Sequence, residues 1–255
     1  MHRYGWVLCA MTFLLAGCPV TQPQDTIAWQ SHETNAATGA GYWLFVPHGY
    51  RDDRPAPLMV TCHGSPPYDV SEMHIKEMKK LCELNGWIVV APELVGTDGI
   101  FGDGPVQGMI EDERRILGII SELGYHYNID RANIMITGFS GGGFPMFWVG
   151  LRNPDVFSLI AARSCNFNEG NLDGWYPPEA KSIPMIIYYG ENDPGAIVIQ
   201  SKAAIDYFRS KGFSVATVVV PGIGHERRPE VAENFFREKM RSPRPSMPLT
   251  NVATR

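Results

Sequence analysis

The sequence has no apolar run of 18 or more residues, no excess of basic residues and no internal repeat. The first absence argues against a membrane-spanning helix, which needs about 20 consecutive apolar residues. Lys and Arg number 22 against 27 Asp and Glu, a net charge of −5, which disfavours nucleic acid as a partner. Charged residues make up 19% and hydrophobic residues 44% of the 255 positions, which argues against a disordered chain and indicates one large globular domain or two small ones.

Cysteine is scarce, and the five cysteines form no C-x-x-C pair. A zinc site of the common kind is therefore unsupported, and no metal is expected. Cys9 and Cys18 lie near the N-terminus, which leaves Cys62, Cys82 and Cys165 in the body of the chain. This odd number permits at most one disulfide, which the sequence cannot assign, and at least one of the three is expected to be a small buried apolar residue.

Residues 1–17 are predicted to be a signal peptide. Arg3 gives a basic start, and the mostly apolar run from Trp6 to Ala16 has 11 residues, the length of a signal-peptide core. The run ends in Leu-Ala-Gly before Cys18, which resembles a bacterial lipobox, so Cys18 is predicted to be lipidated as the mature N-terminus. An ordinary signal peptide with a coincidental cysteine is the alternative. The protein is expected to be exported to the bacterial cell envelope, lipid-anchored or secreted, and to meet a membrane only through this lipid.

After a linker predicted over 18–40, the chain alternates β-rich apolar runs with amphipathic segments. This alternation predicts one α/β domain over 41–241, with a mostly parallel central sheet and helices on both faces. The Pro-rich residues 242–255 are expected to form a loose tail. Strands are predicted at 42–47, 58–62, 88–92, 134–137, 159–162, 185–189 and 215–220, and helices at 70–85, 109–123, 141–152, 196–210 and 230–241.

The strand predicted at 134–137 leads into Gly138-Phe139-Ser140-Gly141-Gly142, a G-x-S-x-G motif between a strand and a helix. The chain must turn sharply there to lift the serine hydroxyl above the sheet, and side chains two residues before and after it would collide. The following helix directs its N–H groups and the positive end of its dipole at the same place. Ser140 is therefore predicted to be a nucleophile. The alternative is a Gly-rich turn whose serine only caps the helix.

Two further strand ends carry an acid and a histidine. Asp193 follows the strand MIIYY in the sequence GENDP, and His225 follows the last strand in the sequence PGIGH. The chain order Ser140, Asp193, His225 is that of the triad in α/β-hydrolases, so His225 is predicted to be the general base and Asp193 the residue that orients it. Glu191, two residues before Asp193, is the alternative carboxylate.

The strand LMVTC leads into His63-Gly64-Ser65-Pro66-Pro67, where the fold places the second N–H donor of an oxyanion hole. Because proline has no N–H, the donor is Gly64 or Ser65, and Ser65 is favoured. Gly141 is expected to supply the first donor. His63 is expected to hold this turn in place by hydrogen bonding.

The segment after the strand at 159–162 is rich in aromatic and amide side chains. It either lines the acyl or leaving-group pocket or forms a packed surface loop. The candidate substrate-binding residues are Asn166 and Trp175 in this segment together with His63, and Phe167, Asn168 and Tyr176 are further members of the segment.

These motifs resemble those of the α/β-hydrolase superfamily, over about residues 42–241. The runs HGS, IVVAPE, YNIDRANIMITGFSGGG, GENDP and PGIGH are similar to the polyhydroxybutyrate depolymerase-like and feruloyl-esterase-like branch, with prolyl-oligopeptidase catalytic domains as more distant relatives. The resemblance implies a serine esterase that forms an acyl-enzyme, needs no metal or organic cofactor and acts on a small-molecule or polysaccharide-linked ester. A prolyl-oligopeptidase-like peptidase and a non-catalytic binding lipoprotein are the alternatives.

Overall fold

The computed structural model describes residues 29–97, 106–172 and 174–241. Their strands form one sheet of eight: β1 (Trp29–Thr34), β2 (Gly41–Val46), β3 (Ala56–Cys62), β4 (Ile88–Pro92), β5 (Ile129–Phe139), β6 (Leu159–Arg163), β7 (Met185–Gly190) and β8 (Val215–Val220). The helices are α1 (Ser71–Asn85), α2 (Val106–His126), α3 (Gly143–Arg152), α4 (Gly195–Ser210) and α5 (Pro229–Lys239). The predicted signal peptide, Cys18 and the predicted tail lie outside the described residues.

The strand order is β1-β2-β4-β3-β5-β6-β7-β8, with β1 and β2 antiparallel to their neighbours and all later pairs parallel. Helices α2, α3 and α4 pack on one face of the sheet and α1 and α5 on the other. The predicted α/β architecture, with a mostly parallel sheet covered on both faces, is therefore confirmed. No helix in the described ranges is both long and apolar enough to cross a membrane.

The core forms because the central strands alternate between the two faces. In β5, Ile134 and Ile136 face the layer of α2, α3 and α4, whereas Met135 faces the layer of α1 and α5. On α5 the buried Phe236 packs on Trp87, with ring centroids 4.6 Å apart. Burial of each such side chain contributes roughly 1.5–3 kcal/mol to folding. The sheet is thus fixed from both sides, and its strand ends are rigid supports for loops.

The sheet begins earlier than the sequence predicts. Strand β1 lies inside the 18–40 segment that was expected to be a linker, and it pairs with β2 from Trp29↔Val46 to Thr34↔Gly41. Apart from Trp29 its residues are polar, and all six are exposed or half-buried, so the strand carries none of the apolar alternation that reveals a buried strand. Backbone pairing with β2 holds it at the sheet edge, together with His32, which contacts Glu93 at 2.8 Å and packs on Trp43.

Cys62, Cys82 and Cys165 are all buried free thiols. The disulfide that the sequence permitted is absent among these three, and the prediction that at least one is a small buried apolar residue holds for each. Burial raises the pKa of the Cys165 thiol to about 12, so it is protonated at neutral pH.

Candidate active site

The carboxyl ends of the parallel strands meet at one edge of the sheet. Register places Cys62 of β3 beside Gly138 of β5, and Gly190 of β7 beside Val220 of β8. The loops that follow these strands therefore start side by side. They carry Ser65, Ser140, Asp193 and His225, the residues in which the sequence predicts chemistry.

Ser140 sits at the strained junction between β5 and a short 3₁₀ turn, Ser140–Gly142, that runs into α3. Its φ is 51°, in the left-handed region where a non-glycine residue costs about 1–2 kcal/mol. A Cβ on Gly138 would collide with the carbonyl oxygen of Gly142, and one on Gly142 with those of Cys62 and His63. The two outer glycines of G-x-S-x-G are thus required sterically, as the sequence predicted for this turn.

Asp193 and His225 are joined by a hydrogen bond of 2.6 Å between Oδ1 and Nδ1. The side chain of Asp193 is fully buried, and that of His225 is 30% exposed. Because an ionised carboxylate only accepts hydrogen bonds, the imidazole donates from Nδ1. In the neutral ring, Nε2 is then a hydrogen-bond acceptor. The ring of His225 also packs on Phe139, with centroids 4.6 Å apart. Glu191, the alternative carboxylate, is exposed and accepts a hydrogen bond from the N–H of Gly222 at 2.9 Å.

A cleft of about 790 Å³ opens over this edge of the sheet. Ser140 and His225 both line it, together with Ser65 and Asn166. Pro194, Ala196 and Ile197 at the start of α4 supply an apolar wall, whereas Glu77, Arg227 and Arg228 supply charged groups. The cleft therefore offers both apolar and polar contacts around Ser140.

Ser65 and Gly141, the predicted oxyanion donors, are immediate neighbours. A Cβ placed on Gly141 would lie 2.6 Å from the Ser65 Oγ and would collide with the Thr97 carbonyl oxygen. The Ser65 hydroxyl donates to that same Thr97 oxygen at 2.7 Å. The structure thus brings the loops after β3 and β4 against the first residue after Ser140.

The structure places His63 in the turn and outside the cleft lining. Its Nε2 accepts a hydrogen bond from the Leu94 N–H at 3.0 Å, so Nδ1 carries the proton and donates to the Gly64 carbonyl at 2.7 Å. Both ring nitrogens are therefore bound within the protein, which matches the expected role in the turn. The substrate-binding assignment of His63 finds no contact with the cleft.

The segment after β6 divides between the two roles that the sequence left open. Asn166 lines the cleft, and its N–H donates to the Ser140 carbonyl at 2.9 Å. Trp175 lies outside the cleft lining and stacks on Trp148, with centroids 5.7 Å apart. Phe167 packs against an aromatic cluster of α3 and α4. Asn166 therefore lies at the site, whereas Trp175 and Phe167 pack against other aromatic side chains.

Sequence reasoning missed Ser164, which follows β6. Its hydroxyl donates to the Asp193 Oδ2 at 2.7 Å, and its φ is 46°, again left-handed. The available signal is its position after the end of a strand, as for the other residues in which the sequence predicts chemistry. A single serine without a motif around it does not by itself predict a role.

Sequence reasoning also missed a partly buried ionic cluster, of which Asp69, Glu77 and Arg227 line the cleft. Asp69 accepts hydrogen bonds from His74 Nε2 at 2.7 Å and Arg227 Nη1 at 2.8 Å, and Glu77 pairs with Arg227 and Arg163. Although burial alone would raise the pKa of Asp69, these donors and the Gly64 N–H hold it well below its usual range. Burial lowers the pKa of His74 to about 4, against the opposing effect of Asp69. Asp69 is therefore charged and His74 neutral at pH 7.

Among the residues described, no group of three or more His, Cys, Asp or Glu side chains is arranged to hold a metal ion.

No protein-family model matches the sequence. Curated proteins of two kinds are similar over part of the chain. Dipeptidyl-peptidase 5 of Porphyromonas gingivalis is 27% identical over 135 residues, which cover 49% of this chain and 19% of that protein. Acyl-protein thioesterase 1 of Gibberella zeae is 26% identical over 125 residues, which cover 42% of this chain and 48% of that protein. The chain thus spans less than half the length of these relatives.

Solved structures match the fold over most of the described chain. A ferulic acid esterase from Anaeromyces mucronatus superposes with a TM-score of 0.64 at 17% identity, over 84% of this chain and 89% of that one. The Staphylococcus aureus fluorophosphonate-binding serine hydrolase FphF superposes with a TM-score of 0.62 at 15% identity, over 85% and 99%. These likenesses, together with the sheet order and the strand-end site, show that the chain has the α/β-hydrolase fold.

Proposed function

We propose that the protein is a serine hydrolase that cleaves carboxylic esters through an acyl-enzyme on Ser140. The observation that carries the proposal is the 2.6 Å bond between Asp193 and His225, together with the strained Ser140, which lines the same cleft as His225. Each member follows a different strand of the sheet, so three independent loops converge on the same chemistry. Esterases and hydrolases among the structural neighbours support this class of reaction.

In the first half of the reaction, Nε2 of His225 takes the Ser140 hydroxyl proton while the oxygen attacks the ester carbonyl carbon. The carbonyl oxygen becomes an oxyanion, which the backbone N–H groups of Gly141 and Ser65 stabilise. The imidazolium then gives its proton to the departing alcohol, and the acyl group stays on Ser140. Asp193 stabilises the imidazolium and keeps the other ring nitrogen free for the transfer.

In the second half, His225 takes a proton from water, and the hydroxide attacks the acyl carbon. The carboxylic acid departs and the proton returns to the Ser140 oxygen. Every proton and leaving group is thus accounted for by Ser140, His225 and the attacking water. The cleft is consistent with a small-molecule ester or an ester carried on a polysaccharide.

Covalent labelling tests the nucleophile independently of the natural substrate. A fluorophosphonate probe should modify wild-type protein at Ser140, and p-nitrophenyl butyrate should give a burst of p-nitrophenol equal to the labelled fraction. Ser140→Ala should abolish both. Ser182→Ala, which removes an exposed hydroxyl bonded only to the Glu179 carbonyl, is the matched control and should behave as wild type. Absence of wild-type labelling would favour a non-catalytic binding protein.

A peptidase is the second candidate, because dipeptidyl-peptidase 5 is similar over 135 residues. The same Ser140 chemistry cleaves an amide when the leaving amine is protonated by His225. A series of aminoacyl and dipeptidyl naphthylamides, run beside acetyl, butyryl, feruloyl and acetyl-xylan esters, separates the two. Higher kcat/KM on any ester than on every naphthylamide supports the esterase.

We further propose that the protein is exported and anchored by lipid at Cys18. The support is the sequence alone, an 11-residue mostly apolar run ending in Leu-Ala-Gly-Cys. Mass spectrometry of protein extracted from bacterial membranes should find a diacylglyceryl group on Cys18. A Cys18→Ser variant should lose it, and an unmodified N-terminus downstream in the soluble fraction of wild type would contradict the proposal.

A further inference from the structure

The carboxylate of Asp193 receives three hydrogen bonds, and each of its oxygens has a separate role. Oδ1 faces His225 at 2.6 Å. Oδ2 accepts from the Gly190 N–H at 2.6 Å and from the Ser164 hydroxyl at 2.7 Å. The carboxylate is therefore clamped at Oδ2, and rotation away from His225 would break both bonds.

Ser164 is held in an unusual place for a serine. It is 1% exposed, its N–H donates to the Tyr188 carbonyl at 2.8 Å, and its φ is 46°. A non-glycine residue in this conformation costs about 1–2 kcal/mol relative to right-handed backbone. Glycine would avoid the strain but could supply no hydroxyl. The strained backbone at this position therefore points to a role for the serine side chain.

The same short segment also makes a hydrogen bond to the proposed nucleophile, Ser140. Two residues after Ser164, the N–H of Asn166 donates to the Ser140 carbonyl at 2.9 Å. The turn after β6 therefore contacts both Asp193 and Ser140, which lie on loops from different strands.

We infer that Ser164 is a positioning residue of the active site, acting through Asp193. Its hydroxyl fixes the carboxylate so that Oδ1 stays directed at His225 during proton transfer. This inference rests on the proposed function. Because a hydrogen bond to a charged acceptor is stronger than a neutral one, loss of the hydroxyl should lower kcat about tenfold. KM should change less than twofold, since Ser164 is buried away from the cleft lining.

Two substitutions separate positioning from folding. Ser164→Ala removes the hydroxyl and keeps the backbone strain, whereas Ser164→Gly removes the hydroxyl and relieves the strain. Both should lose kcat equally, while the glycine variant should be at least as stable to heat as the alanine variant. Ser158→Ala is the matched control. That serine is also buried, lies just before β6 and donates to the Ile134 carbonyl at 3.1 Å, so its loss should leave kcat within twofold of wild type.

A double-mutant cycle gives the decisive measurement. The labelling rate of Ser140 by a fluorophosphonate and kcat for p-nitrophenyl butyrate are measured for wild type, Ser164→Ala, Asp193→Asn and the double variant. In the Asp193→Asn background, Ser164→Ala should change either rate less than twofold. An equal tenfold loss in both backgrounds, or a Ser164→Ala variant within twofold of wild type, would overturn the inference while leaving the proposed function standing. A wild type that is never labelled would overturn both.

Discussion

The ion pair between Asp69 and Arg227, 2.8 Å from Oδ1 to Nη1, joins the loop after β3 to the loop after β8. The first loop carries Ser65, and the second carries His225. Oδ2 of Asp69 also accepts from the Gly64 N–H at 2.6 Å. One buried carboxylate therefore links the loop of the proposed oxyanion donor to the loop of the proposed general base.

Asp69→Asn should destabilise the fold strongly. All three partners of the carboxylate are donors: Gly64 N–H, His74 Nε2 and Arg227 Nη1. An amide in either orientation points its NH₂ at one of them and leaves a buried donor unpaired. Breaking a buried charged pair costs about 3–5 kcal/mol, which should appear as a lower denaturation midpoint in urea.

The neighbouring Arg228 provides the control for Asp69→Asn. It pairs with Glu230 across side chains that are 39% and 42% exposed, so solvent screens the interaction. Arg228→Gln should cost less than about 1 kcal/mol. Comparable losses for the two variants would show that the Asp69 cluster is no more important than a surface pair.

Gly142→Ala should abolish activity and destabilise the turn. The added methyl would collide with the Cys62 and His63 carbonyl oxygens, which belong to β3 and its loop and cannot move aside cheaply. Overpacking of this kind costs about 1–3 kcal/mol or more. Gly49→Ala, where a Cβ meets nothing within 4 Å, should leave activity unchanged. Esterase assays and thermal unfolding of both variants make the comparison, and an active Gly142→Ala would contradict the steric account of the motif.

The sequence predicted the sheet and the members of the proposed triad because local patterns encode them. Ser140 lies in a motif, and Asp193 and His225 each follow an apolar strand in a fixed chain order. Ser164 and Asp69 were missed because their meaning depends on partners 29 and 158 residues away along the chain. The sequence left two roles open for Trp175, pocket lining or a packed loop, and only the fold shows that it stacks on Trp148. Local sequence patterns therefore predict the helices, the strands and the reactive residues at strand ends. The contacts that support those residues can be read only from the folded structure.

Asp193→Asn should lower kcat at least about 100-fold, since amidation of a triad aspartate costs roughly 10⁴-fold in a well-studied protease. The physical reason here is that the three groups facing the side chain, from Gly190, Ser164 and His225, all donate. Glu191→Gln should change kcat less than about tenfold, because Glu191 is exposed and bonds the Gly222 N–H. Measurement of kcat at pH 7.5 with one activated ester decides between the two carboxylates. A large loss in Glu191→Gln with a normal Asp193→Asn would show that Glu191, and not Asp193, orients His225.

Two buried groups should give opposing pH dependences of stability. Burial raises the pKa of Asp112 to about 6, although the N–H groups of Val95 and Gly96 oppose this. Folded Asp112 thus binds a proton between pH 4 and 6 that the unfolded chain releases, so its contribution to stability falls as pH rises. His74, with its pKa lowered to about 4, is neutral when folded and protonated when unfolded over the same interval. Its contribution rises with pH. Asp69, whose pKa is lowered, contributes a change only below pH 4.

Single substitutions should therefore expose opposite slopes in the free energy of unfolding between pH 4.5 and 6. His74→Gln removes the group whose contribution falls as the pH falls, so the variant should gain stability relative to wild type as the pH falls. Asp112→Asn removes the group whose contribution rises as the pH falls, so it should lose stability relative to wild type over the same range. Each slope can reach about 1.4 kcal/mol per pH unit for one proton. Carboxylates that contact neither residue titrate alike in all three proteins, so the differences from wild type report Asp112 in one variant, and in the other His74 together with Asp69, whose pKa His74 helps to lower. Urea denaturation at several pH values gives the slopes, and parallel curves for the two variants would show that neither group has its pKa displaced in the folded protein.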